Sequence, residues 1–96
     1  MMLVVSYDVN TTDAAGEKRL RKVAKLCEAY GCRVQNSVFE VLVDPAQLVT
    51  LKASLSEVID KEKDSVRFYR LGSNWRPRIE TLGKELVYEQ DGIIMF

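Results

Sequence analysis

The sequence of 96 residues contains no histidine. That removes His-based catalytic triads, imidazole metal ligands and a histidine pH switch. Cysteine occurs only at Cys27 and Cys32, too few and too close for a disulfide framework or a four-cysteine zinc site. Both are expected to be free thiols of a reducing compartment, with Cys27 packed as a small apolar side chain. No apolar run approaches the length of a bilayer span, and the opening Met1-Met2-Leu3-Val4-Val5 meets Asp8 too soon for a secretory leader. The expected location is the cytoplasm. Net charge is missing as well: 14 Lys and Arg face 14 Asp and Glu. A uniformly basic coat is thereby excluded, so any nucleic-acid surface must arise by segregating charge.

What is present is ordinary globular composition, 47% apolar and 29% charged, in a length that suits a single domain over residues 1–96. A chain this short buries roughly two thirds of its unfolded surface, and a core of that size often completes itself by oligomerising. Residues 3–9 are β-branched, aromatic and apolar and predict a buried strand. Asn10-Thr11-Thr12-Asp13 follows as turn and cap, with Asp13 opening a helix over about residues 14–30. Leu20, Val23, Ala24, Cys27 and Tyr30 share one face of that helix, and Gly31 is its expected stop. Residues 32–44 are strand-like but long for one strand, which predicts a break near Asn36-Ser37. Asp44-Pro45 starts a second helix to about residue 59, with Leu48, Leu51, Leu55, Val58 and Ile59 inward. A charged surface turn over 60–64, a strand over 65–71 and a break at Gly72-Ser73-Asn74 follow. Residues 74–83 suggest a loop or a short turn of helix, and Leu86-Val87-Tyr88 a further strand before the apolar end Ile93-Ile94-Met95-Phe96.

This order predicts an α+β domain with both helices on one face of a sheet: the ferredoxin-like βαββαβ layout with an additional C-terminal strand. The other sheet face is then expected to be bare. Val5, Phe39, Val41, Phe68 and Tyr88 are the strand residues that, placed there, would favour a dimer.

Three features carry chemistry. Asp8 leaves a buried strand at its exit, where a carboxylate can bind Mg²⁺ or Mn²⁺; the residues by themselves favour the plainer role of capping the turn with Asn10 and Thr11. One carboxylate is a poor metal site, which a two-fold dimer corrects by bringing two copies of Asp8 together. Charge is segregated: residues 17–33 hold six basic side chains against two acidic ones, residues 67–78 hold four arginines and no acid, and residues 80–96 hold four acids and one lysine. Basic blocks on a small dimer can track a phosphate backbone, although charge runs also serve simply as solvated helix faces. Arginine in the second block suits phosphate geometry, and Trp75 beside Arg76 is either an aromatic–basic contact or a packing residue. Finally, Gln35, Asn36 and Ser37 interrupt an apolar stretch and belong at a bulge, edge or interface.

The strand end Tyr7-Asp8-Val9, the basic helix closing in Tyr30-Gly31 and the run Arg33-Val34-Gln35-Asn36-Ser37-Val38-Phe39-Glu40 together resemble the CRISPR-associated Cas-two family. This is the small partner of the spacer-acquisition integrase. The resemblance covers nearly all of residues 1–45 and fits the rest in length and element order. It implies a ferredoxin-like fold, homodimeric through its sheets, with Asp8 as a metal-binding and catalytic aspartate, one from each chain, sharing Mg²⁺ or Mn²⁺ near the two-fold axis. It further implies that Tyr7 sits beside Asp8, that Arg19, Arg21 and Arg33 are basic site positions, and that Ser37 and Phe39 lie near the interface. The C-terminal segment, about residues 80–96, is then expected to pair with the partner chain.

Two functions follow as expectations. One is a Mg²⁺-dependent endonuclease on RNA or DNA resting on Asp8. The other is a dimeric adaptor in CRISPR adaptation that binds the integrase and DNA without cutting, through Lys18, Arg19, Arg21, Lys22, Arg76 and Arg78. With a single strong acid at the site and no histidine, the scaffold role ranks above a robust nuclease.

Overall fold

The computed structural model describes residues 1–83 together with the backbone of residues 87–88 and 93–94. Its elements are β1 (Met2–Asp8), α1 (Ala14–Glu28), β2 (Gly31–Gln35), β3 (Val38–Leu42), α2 (Pro45–Val58) and β4 (Ser65–Gly72). A short 3₁₀ turn (Arg76–Arg78) follows, then β5 (Val87–Tyr88) and β6 (Ile93–Ile94). The four long strands form one antiparallel sheet in the order β2-β3-β1-β4, and β5 pairs with β6 separately. This is the α+β, ferredoxin-like arrangement expected from the element order. Leu86 and the side chains of Tyr88 and of the C-terminal segment lie outside the described residues.

Local chemistry sets the boundaries. The Asp13 side chain caps α1 by accepting from the Gly16 N–H at 2.8 Å. Asp44 and Gln47 make a reciprocal capping box at α2, with bonds of 2.7 and 2.9 Å and Pro45 in the first turn. The break expected near Asn36-Ser37 is the turn between β2 and β3, with a register shift between Arg33 and Gln35. Gly31 is not the helix stop. Helix α1 ends at Glu28, and Gly31 is the first residue of β2, opposite Val41, where a Cβ would run into the Glu40 carbonyl. The glycine is there for close backbone approach.

The core lies between the helices and one sheet face. Leu3, Val5, Tyr7 and Val9 alternate inward from β1 and its exit, and meet Phe39, Val41, Val23, Cys27, Leu48, Leu51 and Leu55. Each fully buried aliphatic or aromatic side chain contributes roughly 1.5–3 kcal/mol. Cys27 belongs to this core, and burial pushes its thiol up to about 11.

The face assignment needs correction. Val5, Phe39 and Val41, which on the bare face would have favoured a dimer, are instead fully buried under the helices, and Phe68 also packs there, with Lys52 Nζ of α2 over its ring at 5.4 Å. Register places Val4, Ser6 and Asp8 on the opposite face, with Val38 and Glu40 on one side and Ser65, Arg67 and Tyr69 on the other. That face is not uniformly bare either. Cys32 and Glu40 are buried on it, whereas Asp8, Ser65, Arg67 and Tyr69 are exposed.

Candidate metal and nucleic-acid site

Asp8 ends β1 directly opposite Ser65, the first residue of β4. It is exposed, and no hydrogen bond or ion pair engages its carboxylate among the described residues. The strand leading to it is held firmly. The Tyr7 N–H donates to the Ser37 carbonyl at 3.0 Å. Alternation turns Tyr7 away from Asp8 into the core, where its ring stacks on Phe39 at 6.1 Å between centroids. Arg33 lies over the other partner of that stack, 5.4 Å from the Phe39 centroid. Burial pushes the Tyr7 phenol up, against the opposing effect of Arg33. Tyr7, Arg33, Ser37 and Phe39 thus form one cluster beneath the end of β1, and Asp8 projects beyond it.

The segment after Asp8 is anchored by a residue that sequence reasoning assigned to a surface turn. The Asp64 carboxylate is buried. It accepts from Arg19 Nε at 2.7 Å, from the Asn10 N–H at 3.0 Å and from the Asp60 N–H at 2.9 Å. Burial pushes this carboxyl up, but the Arg19 guanidinium and the two backbone donors outweigh it and hold it below its ordinary value. Arg19 also reaches the Asn10 carbonyl at 3.3 Å. Nothing in the run Asp60-Lys61-Glu62-Lys63-Asp64 marks its last residue as different from its first. The contact spans 45 residues of sequence and is visible only in the fold.

The other candidate cations fall in separate places. Lys18, Arg21, Lys22 and Lys25 are exposed along α1. Arg21 and Arg33 come together in a groove of about 370 Å³ beside the β2 edge, whose other walls are Leu20, Ala24, Lys25 and Glu28. Arg76, stacked at 4.6 Å over Trp75, and Arg78 are exposed beyond β4, whereas Arg33 stands on the opposite edge strand. Arg67, which begins the second basic block without having been chosen as a site residue, and Tyr69, which sequence reasoning did not single out, share the face of Asp8. Their period-two spacing within residues 65–71 was the available signal, but choosing the face needed the β1–β4 register.

Among the described residues, no three His, Cys, Asp or Glu side chains cluster as a metal site. Magnesium commonly keeps several waters and takes one or two protein carboxylates plus phosphate oxygens. An unengaged carboxylate such as Asp8, supplied once per chain, fits that donor set, and more closely as a pair. No helix among the described residues is long and apolar enough to cross a membrane.

Comparison with known proteins gives consistent matches. The family described as CRISPR associated protein Cas2 matches residues 1–79. A protein of Nitratidesulfovibrio vulgaris named CRISPR-associated endoribonuclease Cas2 is 51% identical over 92 residues, covering 96% of this chain and 90% of that protein. The CRISPR-associated endonuclease Cas2 of Halalkalibacterium halodurans is 49% identical over 96 residues, the full length of both. The crystal structure of Streptococcus pyogenes Cas2 at pH 6.5 superposes with a TM-score of 0.78 and 61% identity, over 86% of this chain and 100% of that one.

Proposed function

The chain belongs to the Cas2 family of CRISPR-associated proteins, and from that premise we propose that it serves CRISPR adaptation as a homodimer that binds nucleic acid and scaffolds the integrase, with a metal-dependent phosphodiesterase site at Asp8. The observation that carries this reading is the contrast between two carboxylates. Asp64 is buried and fully engaged, whereas Asp8 is exposed and unengaged at the end of a well-held strand. Two Asp8 side chains, one from each copy, would hold the cation. That cation, Mg²⁺ or Mn²⁺, would supply a low-pKa water and neutralise charge on the phosphate. The chain's own contribution is placement: the Tyr7–Phe39 stack and the Asp64 anchor fix the backbone on either side of Asp8. Lys18, Arg21 and Lys22 on α1, with Arg76 and Arg78 beyond β4, would take the phosphate backbone.

The test is Asp8→Asn, which keeps size and removes charge. RNA and DNA cleavage should fall roughly a hundred-fold or more in Mg²⁺ and be absent with chelator. Cleavage that survives the substitution removes Asp8 from the chemistry. A second reading, an adaptor without nuclease activity, is supported by the exposed cations along α1, which can hold a phosphate backbone without any chemistry at Asp8. It predicts that spacer insertion persists in Asp8→Asn but stops when Lys18, Arg21 and Lys22 are neutralised together.

A further inference from the structure

We infer that Arg19 is a positioning residue of the Asp8 site: through Asp64 it fixes the backbone of Asn10, and with it the direction of the Asp8 carboxylate, and it does not contact the nucleic acid. The inference rests on the proposed metal role of Asp8, and it separates Arg19 from the cations with which a basic helix groups it. Asn10 lies two residues beyond Asp8. Its N–H donates to Asp64 Oδ1 at 3.0 Å, and its carbonyl accepts from Arg19 Nη2 at 3.3 Å. Its side-chain oxygen accepts from the Thr12 N–H at 3.0 Å and the Thr12 hydroxyl at 2.8 Å, which closes the turn. Asp64 directly precedes Ser65, the ladder partner of Asp8. Asp8 is therefore held by the β1–β4 pairing on one side and by the Asp64–Asn10 bond on the other. Arg19 locks the two together, with Nε at 2.7 Å from Asp64 Oδ2 and Nη2 at 3.4 Å from Oδ1.

Two further observations agree. Gly16, buried in the first turn of α1, packs against the same backbone, and a Cβ there would run into the Asn10 carbonyl. Alanine is the better helix former, so the loop that this glycine admits, and not the helix, accounts for it. Arg19 is also a poor phosphate ligand as it stands. Its Nε and Nη2 are both engaged, and its side chain is only 16% exposed. Turning it outward would leave the fully buried Asp64 carboxylate without its counter-charge, which a buried ion strongly resists. The network acts from the helix side, so it needs no access to the sheet face that carries Asp8 and that the proposed dimer covers. Precision matters there because a shared cation takes one Asp8 from each copy, and a misdirected carboxylate is then misdirected twice.

The experiment uses the full chain with Mn²⁺ as the probe, read by electron paramagnetic resonance, alongside light scattering for the dimer and NMR exchange of the Asn10 amide. Arg19→Gln and Asp64→Asn should speed that exchange and weaken Mn²⁺ binding about ten-fold or more, the usual loss when a group that orients a ligand is removed. Gly16→Ala should do the same with Arg19 and Asp64 intact. In RNA cleavage Arg19→Gln should lower kcat and leave KM and the salt slope unchanged, whereas a lost phosphate contact would raise KM and lower the slope by about 1. Leu48→Ala is the control for general loosening: α2 begins after Leu42, the partner of Met2 at the other end of β1 from Asp8. It should keep the Mn²⁺ affinity per folded dimer. Wild-type Mn²⁺ affinity in Arg19→Gln and Asp64→Asn overturns the inference, and so does a loss that merely follows the fraction of folded dimer or that Leu48→Ala reproduces. A raised KM with a lower slope overturns it too. Asp8→Asn separates the two levels. If it binds Mn²⁺ as wild type does, the proposed metal site fails and the inference falls with it; if it loses Mn²⁺ while Arg19→Gln keeps it, the inference fails alone.

Discussion

Asp64 and Glu40 are both buried carboxylates, and their surroundings drive them in opposite directions. Asp64 is below its ordinary value of 3.8 because Arg19 and the Asn10 and Asp60 N–H groups outweigh its burial. A carboxyl depressed in the folded state stabilises above its unfolded pKa, and that stability is lost as pH falls through the folded value. Asp64→Ala should therefore cost about 2–3 kcal/mol near neutral pH in urea unfolding, less than a fully dry pair because Arg19 retains some water contact. The gap from wild type should close at the acid end, below pH 3.8. Glu40 has no partner among the described residues, and burial alone raises it above 4.5. Here the sign reverses: stability falls as pH rises through the range between the unfolded and the folded value. Glu40→Gln should melt at a higher temperature than wild type at neutral pH, and the advantage should vanish below pH 4.5, in thermal scans taken across pH. At this scale sequence reasoning could single out Asp8 as a candidate and could not single out Asp64. A strand-end carboxylate has a local signature, whereas Asp64 is set apart from Asp60 by Arg19 and the Asn10 N–H, both distant in sequence.

Elements were the more legible scale where side-chain chemistry is local. Asp13, Asp44 and Pro45 announce the helix starts because a cap needs only its own first turn. Asn36 and Ser37 mark the β2–β3 turn because polar residues in an apolar stretch have few other places to go. Gly31 was misread because two demands select glycine. A helix stop uses its positive φ, and a crowded strand uses its missing Cβ. The described positive-φ glycines are Gly72 and Gly83, while Gly31 faces the Glu40 and Val41 backbone. Gly31→Ala should consequently force β2 away from β3 and destabilise by roughly 2 kcal/mol or more in denaturant unfolding, where a helix-stop role with positive φ would lose less. If Gly31→Ala proves neutral, the close approach is not what requires the glycine. A shifted β2 also moves Arg33 off Phe39, so the same substitution tests whether the cluster beneath Asp8 depends on this edge strand.

The whole molecule separates charges that the sequence total cancels. α1 carries Lys18, Arg21, Lys22 and Lys25 exposed, the turn after β4 carries Arg76 and Arg78, and Asp64 absorbs Arg19. The fold class was readable from element order, but the side to which each strand residue turns was not, because a one-residue error in register inverts every face. That is why Val5, Phe39 and Val41 proved to be core and why Arg67 and Tyr69 emerged beside Asp8. The same geometry divides the two arginines of α1 that a basic helix suggests are equivalent. Arg19 is bound to Asp64 and half-buried, whereas Arg21 is exposed beside the groove with Arg33. Arg21→Gln together with Lys18→Gln and Lys22→Gln should lower the salt slope of duplex DNA binding by about 1 per charge removed and leave unfolding within about 0.5 kcal/mol of wild type. Arg19→Gln should do the reverse, shifting the unfolding midpoint downward with little change in slope, since the phosphate gains nothing from a guanidinium already held by a carboxylate. A slope that falls equally with Arg19→Gln would show that the Asp64 pair opens when nucleic acid binds, and would return Arg19 to the binding surface.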